Sequence, residues 1–233
     1  MLVAIGVLSA IFLLRSMAHQ IQVDPDTIVD LAIATVISGF IGARIFYVVQ
    51  SWDYFQLAPF DIIKIWEGGI VAYGGIIGGL IGFTSFVKFK RLPFLPLLDM
   101  FVMALALAQG FGRFGCFLNG CCFGKPTNLP WGVLFPFAPF PVHPTQLYEA
   151  VFCFALAIFL LLIFRKNLRT GTISALYFII YPAGRFLIEF VRGDNEVVFF
   201  IFTAHQIISM MSIGITLIVV FMCRFVWKKN RKF

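Results

Sequence analysis

Several apolar runs of close to 20 residues constrain the fold of this chain more than any other feature of its sequence. A helix of that length spans the roughly 30 Å hydrocarbon core of a bilayer. The runs are apolar on every side and do not alternate in polarity, which excludes a transmembrane β-barrel. Hydrophobic residues make up 61% of the chain and charged residues 12%, so no sizeable soluble domain is expected. The sequence therefore predicts an all-α integral membrane protein, with residues 1–233 as a single multi-pass domain.

Seven stretches are predicted to cross the membrane. They are Leu2–Leu14, Ile28–Val49, Ile70–Val87, Leu95–Gly112, Gln146–Phe164, Thr172–Val191 and Phe199–Cys223. The first is short for a span. A cleavable signal peptide is not expected there, because no basic residue precedes the apolar stretch.

The basic residues predict how the chain is oriented. Of 18 lysines and arginines, most follow predicted spans one, three, five and seven: Arg15, Lys88, Lys90, Arg91, Arg165, Lys166, Arg169, Arg224, Lys228, Lys229, Arg231 and Lys232. Because cytoplasmic loops carry an excess of Lys and Arg, the C-terminus is predicted to be cytoplasmic and the N-terminus outside. The net charge of +7 then reflects topology and contact with anionic lipids, and no nucleic-acid partner is expected.

Residues 113–145 form a long segment that is predicted to face outward. Its six prolines rule out a long helix and predict an irregular Gly/Pro-rich cap on the outer face. Pro144 and Thr145 are typical helix-start residues, which places His143 at the membrane surface and Glu149 one turn inside the next span. A single histidine there fits either a hydrogen-bonded helix cap or a base.

Ionisable residues at membrane depth are costly and indicate functional sites by default. Arg113 lies in the Gly-rich stretch Gly110–Gly124, where it fits either a pocket for an anionic group or a helix end whose arginine reaches the interface. Tyr181, Arg185 and Glu189 are spaced four residues apart and share one helix face. That face fits either a structural ion pair or a cavity in which arginine binds a lipid phosphate. Further polar residues of this kind are Arg44, Asp99, Glu149 and Arg192.

Glycines recur every four residues at Gly74, Gly78 and Gly82, and they predict a flat ridge for close helix packing. Tyr73 immediately precedes this ridge. It fits either an interfacial aromatic residue or a hydroxyl that reaches a bound head group.

Four motifs follow one another along the chain. They are Trp66-Glu67-Gly68-Gly69 with Tyr73-Gly74-Gly75-Ile76-Ile77-Gly78, Gly112-Arg113-Phe114-Gly115 through Asn119-Gly120, His143-Pro144-Thr145-Gln146-Leu147-Tyr148-Glu149, and Tyr181 with Arg185 and Glu189. Together they resemble the prolipoprotein diacylglyceryl transferase family, from about Gly42 to Gln206. The resemblance implies an enzyme of the bacterial cytoplasmic (inner) membrane that acts in lipoprotein biosynthesis. Such an enzyme transfers the diacylglyceryl group of phosphatidylglycerol to the lipobox cysteine of a preprolipoprotein and releases glycerol phosphate, without a metal or other cofactor.

The resemblance also implies a site. The implied catalytic residues are Arg113, Arg185, Tyr73 and Glu189, with the arginines at the phosphate and Glu189 orienting one of them. The implied substrate-binding residues are Arg113, Arg44, Gly74, Gly75, Asn119, Cys116, Cys121, His143, Glu149 and Tyr181. Expected partners are phosphatidylglycerol, the preprolipoprotein signal peptide and membrane lipids. This chain has Tyr73, Cys116 and Cys121 where the family commonly has His, Asn and Glu.

Three of the five cysteines, Cys116, Cys121 and Cys122, cluster in the predicted outer segment. In an oxidising compartment they fit a disulfide or structural thiol, a covalent nucleophile, or zinc ligands together with His143. No metal site is predicted, because the spacing matches no regular zinc pattern and adjacent cysteines seldom bind one ion. Cys153 and Cys223, within or at the end of spans, are predicted to be ordinary buried residues.

Other functions stay open at this stage. The chain fits a divergent relative that uses a different acceptor, a non-catalytic phospholipid-binding membrane protein with an outer-face cysteine cluster, or a thiol–disulfide membrane protein. Arg113 and Arg185 favour phospholipid chemistry, because a planar guanidinium donates two parallel hydrogen bonds to phosphate.

Overall fold

A computed structural model describes residues 1–136, 138–166, 168–193 and 197–230 of the chain, with the backbone alone for residues 224–230. The α-helices are α1 (Leu2–Met17), α2 (Pro25–Gln50), the short α3 (Trp52–Phe55), α4 (Ala72–Phe89), α5 (Phe94–Leu118), α6 (Thr145–Phe164), α7 (Thr172–Glu189) and α8 (Ala204–Asn230). One antiparallel pair of strands joins β1 (Val197–Phe199) to β2 (Phe202–Thr203). The mostly helical structure confirms the predicted all-α class.

Six helical segments of the described chain are long and apolar enough to cross a membrane: Leu2–Ile21, Pro25–Gln50, Ala72–Phe89, Phe94–Leu118, Thr145–Phe164 and Ala204–Cys223. The predicted span Thr172–Val191 forms α7, which is not among these six. It carries Arg185 and Glu189, which lower its hydropathy. The last predicted span begins later than expected, because residues 197–203 form the strand pair and α8 starts at Ala204.

The chain divides into two compact units, Leu13–Leu97 and Met1–Phe12 together with Leu98–Phe233. In the unit Leu13–Leu97, α2 packs along α4. A Cβ atom added to Gly42 of α2 would lie 2.8 Å from the Cα of Gly78 on α4, closer than a real Cβ approaches any such atom. The predicted glycine ridge is therefore confirmed as a packing surface, since only glycine allows these two backbones to approach so closely.

In the other unit, α7 packs against both α6 and α8. Asp99 of α5 stabilises the start of α7: its carboxylate accepts hydrogen bonds from the Gly171 N–H at 2.6 Å and from the Ser174 N–H at 2.7 Å. These N–H groups belong to the first turn of the helix, where no backbone partner is available within the helix. Asp99, which is 3% exposed, is thus explained by helix capping and not by a ligand.

Helix α5 runs six residues past its predicted end at Gly112, to Leu118. Gly110, Gly112 and Gly115 all lie within this helix, and Gly110 packs against the ring of Phe154, with which a Cβ would collide. The turn comes only afterwards, where Gly120 and Cys122 have φ of 67° and 64°. Arg113 and Cys116 therefore lie on a helix, and the prediction that residue 113 already belongs to the loop is wrong.

The described residues between Leu118 and Thr145 contain no helix, as their prolines predict. Isolated β-bridges pair Val142 with Pro126 and with Val133. Within this segment, Phe135, Ala138 and Val142 form a small buried apolar cluster. Cys153 is buried as predicted, whereas Cys223 is exposed because it lies on a largely exposed part of α8.

Candidate functional site

A buried carboxylate on α6, Glu149, joins three helices. Its Oε1 lies 3.0 Å from Arg113 Nε of α5 in an ion pair and accepts a hydrogen bond from the Tyr181 hydroxyl of α7 at 3.2 Å. The Glu149 side chain is 2% exposed, whereas that of Arg113 is 27% exposed. Among the described residues no hydrogen bond engages the terminal nitrogens of Arg113, so its remaining N–H donors are available to a ligand. Tyr177 stacks on Tyr181, with ring centroids 5.5 Å apart.

A second buried ion pair lies one turn further along α7. Arg185 Nη1 lies 2.5 Å from Glu189 Oε2, and both side chains are buried. The other carboxylate oxygen of Glu189 accepts from the Thr203 hydroxyl at 2.7 Å and lies 3.7 Å from His205 Nδ1, at the start of α8. Glu189 therefore fixes the Arg185 side chain, as expected from the sequence.

The turn after α5 brings three thiols together. The Sγ atoms of Cys116, Cys121 and Cys122 all lie within 4.8 Å of one another, and none forms a disulfide. The first turn of α6 holds this turn in place. Thr145 donates from its hydroxyl to the Cys122 carbonyl at 2.9 Å, and Gln146 donates from its amide to the Cys121 carbonyl at 2.5 Å.

The thiol of Cys122 has an unusual acidity. Its pKa is lowered to about 5, first by a hydrogen bond with Cys116 and then by one with Cys121, with Arg192 and Arg113 acting in the same direction. Desolvation opposes these effects. Arg113, a candidate for binding phosphate, is therefore one of the two cations that favour a thiolate at Cys122.

His143 lies outside this chain of charged contacts. Its Nδ1 is 3.3 Å from the Tyr148 hydroxyl, which also accepts a hydrogen bond from Trp131 Nε1 at 2.8 Å. Its backbone carbonyl accepts from the Gly124 N–H at 2.8 Å. The His143 side chain does not cap α6, since the N-cap residue of that helix is Pro144 and, among the described residues, no side chain caps it. A role of His143 as a base or in substrate binding stays a prediction. Asn119 is exposed just past the end of α5.

Arg44, in the unit Leu13–Leu97, has an architectural environment. It is 8% exposed, and its guanidinium donates to five backbone carbonyls: Asp61 at 2.7 Å, Ile62 at 2.9 Å, Lys64 at 3.2 Å, Gly68 at 2.6 Å and Gly69 at 3.0 Å. All five N–H donors of an arginine are thereby used. Arg44 holds the segment before Tyr73 in shape, and a direct contact with substrate stays a prediction.

Tyr73, Gly74 and Gly75 lie at the start of α4 in the same unit. Gly74 packs against the Gly42 backbone, and the Tyr73 side chain is 42% exposed. A role of Tyr73, Gly74 and Gly75 toward substrate stays a prediction.

Sequence patterns had not singled out several contacts of the site. Thr145 and Gln146 lie inside a recognised motif but had no assigned role, and Thr203 and His205 lie near the start of the predicted span Phe199–Cys223. Gln109, which accepts from the Tyr177 hydroxyl at 2.9 Å, lies one turn before Arg113 on α5. An amide inside an otherwise apolar helix was the available signal for Gln109.

Helices long and apolar enough to cross a membrane, with arginines paired to buried carboxylates among them, define a multi-pass membrane protein. The family model for prolipoprotein diacylglyceryl transferase matches residues 1–222. A phosphatidylglycerol–prolipoprotein diacylglyceryl transferase of Clostridium tetani is 42% identical over 229 residues, covering 96% of this chain and 92% of that protein. The second enzyme of that name from Clostridium perfringens is 38% identical, covering 89% and 83%, and the enzyme of Trichormus variabilis is 39% identical, covering 84% and 74%.

The chain belongs to the prolipoprotein diacylglyceryl transferase family and is a transferase. The resemblance found in the four sequence motifs is thereby confirmed. It extends to the N-terminal helix, which the motifs do not cover.

Replacing Arg44 with Gln is expected to destabilise the protein. The change removes most of the donors to five partly buried carbonyl groups, and an acceptor left unpaired in the interior costs up to about 1–3 kcal/mol. The apparent thermal midpoint of the detergent-solubilised protein should fall by several degrees, and proteases should cut within residues 51–69 more readily. Arg15→Gln is the control, since Arg15 forms an exposed ion pair with Asp26 that contributes little. Equal midpoints for the two variants would contradict the assigned role of Arg44.

Proposed function

We propose that this chain transfers the diacylglyceryl group of phosphatidylglycerol to the lipobox cysteine thiol of a preprolipoprotein at the outer side of the cytoplasmic membrane. The observation that carries the proposal is the three-helix contact of Arg113, Glu149 and Tyr181. It presents a partly exposed guanidinium from an otherwise buried polar site. Family membership supports the type of reaction, and the contacts of these side chains support the choice of residues.

Arg113 binds the phosphate of the lipid. Glu149 pairs with Nε of the Arg113 guanidinium. The two terminal nitrogens, whose N–H groups lie in the guanidinium plane, are therefore the ones that bind the phosphate. Two parallel N–H groups match two phosphate oxygens, which a lysine ammonium does not do. Glu149 also offsets the cost of keeping a guanidinium in an apolar environment before the lipid binds.

Arg185 stabilises the leaving group. As the thiolate attacks the glyceryl carbon, the bond from that carbon to the phosphate oxygen breaks and negative charge increases on the phosphate. A fixed cation stabilises this charge more than it stabilises the bound lipid, which is the condition for catalysis. Glu189 and Thr203 keep Arg185 from reorienting during the reaction.

Tyr73 contributes a hydroxyl on the acceptor side. A phenol with a pKa near 10 is a poor base at neutral pH, but it donates a good hydrogen bond to a thiolate. The exposed position of Tyr73 at the start of α4 is compatible with this role.

A different acceptor is the second candidate function. The thiols Cys116 and Cys121 stand where the family commonly has polar side chains, and they change the chemistry available beside Arg113. Measuring the rate of diacylglyceryl transfer to lipobox peptides and to other thiols distinguishes the two functions.

Arg113→Gln and Arg185→Gln are each expected to lower the rate of diacylglyceryl transfer by at least about 10²–10³-fold, because each removes a charged hydrogen bond to the transition state. Transfer is measured with phosphatidylglycerol and a lipobox peptide in detergent. Arg185→Lys should fail as well, since an ammonium lacks the planar fork. Arg165→Gln, on an exposed residue past α6, is the control.

Near wild-type rates in either glutamine variant would refute the phosphate-binding role. Poor accumulation of both variants, with normal accumulation of the control, would instead favour purely structural ion pairs.

Tyr73→Phe is expected to slow transfer by about tenfold while leaving phosphatidylglycerol binding unchanged, because it removes one hydrogen bond to the sulfur and no charge. Lipid binding and single-turnover transfer are measured on the same preparation. Unchanged transfer would exclude Tyr73 from the acceptor side.

Orientation is open to a direct test. With the N-terminus outside and the C-terminus cytoplasmic, a membrane-impermeant thiol reagent added to intact cells should label wild type but not a variant with Cys116, Cys121 and Cys122 replaced by Ser. A reporter fused after Phe233 should behave as cytoplasmic. An external reporter would reverse the proposed topology.

A further inference from the structure

The three-thiol turn of Cys116, Cys121 and Cys122 has the dimensions of a metal site. Two of its sulfurs, those of Cys121 and Cys122, lie 3.5 Å apart, and all three lie within 4.8 Å of one another. Thiolates bound to one tetrahedral zinc ion at about 2.3 Å are about 3.8 Å apart. Side-chain rotations that move the sulfur atoms by about an ångström or less would therefore bring all three to one ion. Adjacent cysteines seldom bind one ion, and the short distances between these sulfurs are the observation that favours such a site here.

The backbone of the turn is fixed before any ion binds. The Cys121 N–H donates to the Cys116 carbonyl at 3.2 Å, and Thr145 and Gln146 hold the carbonyls of Cys122 and Cys121. Thr145 and Gln146 are each 1% exposed. A set of ligands held by buried neighbours binds a metal more tightly than a mobile one, because less entropy is lost on binding.

Charge and ligand number define the type of site. Cys116 lies one turn after Arg113 on α5, and three thiolates around a divalent ion carry one net negative charge that this cation offsets. Among the described residues, no histidine or carboxylate joins the three cysteines as a fourth ligand. Zinc sites with three protein ligands keep an open position for a reacting group.

We infer that Cys116, Cys121 and Cys122 bind one thiophilic divalent ion of the zinc type, whose open position accepts the sulfur of the acceptor cysteine. The inference rests on the proposed function for the identity of that acceptor. The bound ion supplies the acceptor thiolate, a step that the proposed function assigns to no side chain.

The chemistry balances without oxidation or reduction. The acceptor thiol releases its proton to solvent when its sulfur binds the ion, since a metal-bound thiol is deprotonated. The sulfur then forms a bond to the glyceryl carbon, and the electron pair of the broken carbon–oxygen bond leaves with the phosphate as glycerol phosphate. The resulting thioether is a weaker ligand than a thiolate and leaves the ion, which keeps its three cysteine ligands.

Cobalt substitution tests the inference. Co²⁺ added to the reduced, metal-free protein under anaerobic conditions should bind at one ion per chain and produce intense sulfur-to-cobalt absorption in the near ultraviolet and visible bands of tetrahedral cobalt. Cys116→Ser, Cys121→Ser and Cys122→Ser should each lose most of that absorption. Cys223→Ser, on the exposed thiol of α8, should keep it. Gln146→Leu should weaken Co²⁺ binding by about 10–100-fold, because it removes the support of Cys121.

The acceptor position has its own readout. A lipobox peptide should shift the visible cobalt bands, whereas the same peptide with Ser in place of its cysteine should not. Absence of sulfur-to-cobalt absorption in wild type, or a disulfide among the three cysteines during turnover, would overturn the metal site. If transfer proceeds in that case, the proposed function stands alone. A cobalt site that the peptide does not perturb would overturn the assigned acceptor position.

Discussion

The buried carboxylate of Glu149 is the interaction on which the site depends. An unpaired charge in an apolar interior costs several kcal/mol, so a carboxylate at 2% exposure requires partners. Glu149 obtains them from two different helices, Arg113 of α5 and Tyr181 of α7. The same contacts that neutralise it therefore set the positions of Arg113, the arginine proposed to bind phosphate, and of the helix that carries Arg185.

The pairing of cations with carboxylates explains how arginines persist in so apolar a protein. Arg185 is held by Glu189, and that glutamate is itself held by Thr203 of β2. The Arg44 guanidinium is stabilised without a carboxylate, because it donates hydrogen bonds to five backbone carbonyls. The difference separates their functions. A guanidinium with all donors engaged shapes the backbone, whereas Arg113 keeps donors for a ligand.

The start of α6 connects the arginine site with the thiols. Thr145 and Gln146 hold the carbonyls of Cys122 and Cys121, and Glu149 follows one turn later on the same helix. One helix end thus positions both the group that binds phosphate and the group inferred to bind the acceptor sulfur.

The sequence by itself determined the membrane class, the positions of the long helices to within a few residues, the glycine ridge of α4 and the family. These follow from local patterns, because hydrophobic length, glycine spacing and motif order are properties of neighbouring residues. Only the tertiary structure decided where α5 ends, since the chain turns at Gly120 and Cys122, where Thr145 and Gln146 of α6 hold the backbone carbonyls. It also decided that Arg44 holds backbone and that three cysteines converge. Those outcomes depend on the directions of side chains held by groups far away in the chain, as Gln146 holds Cys121, and no local pattern encodes such directions.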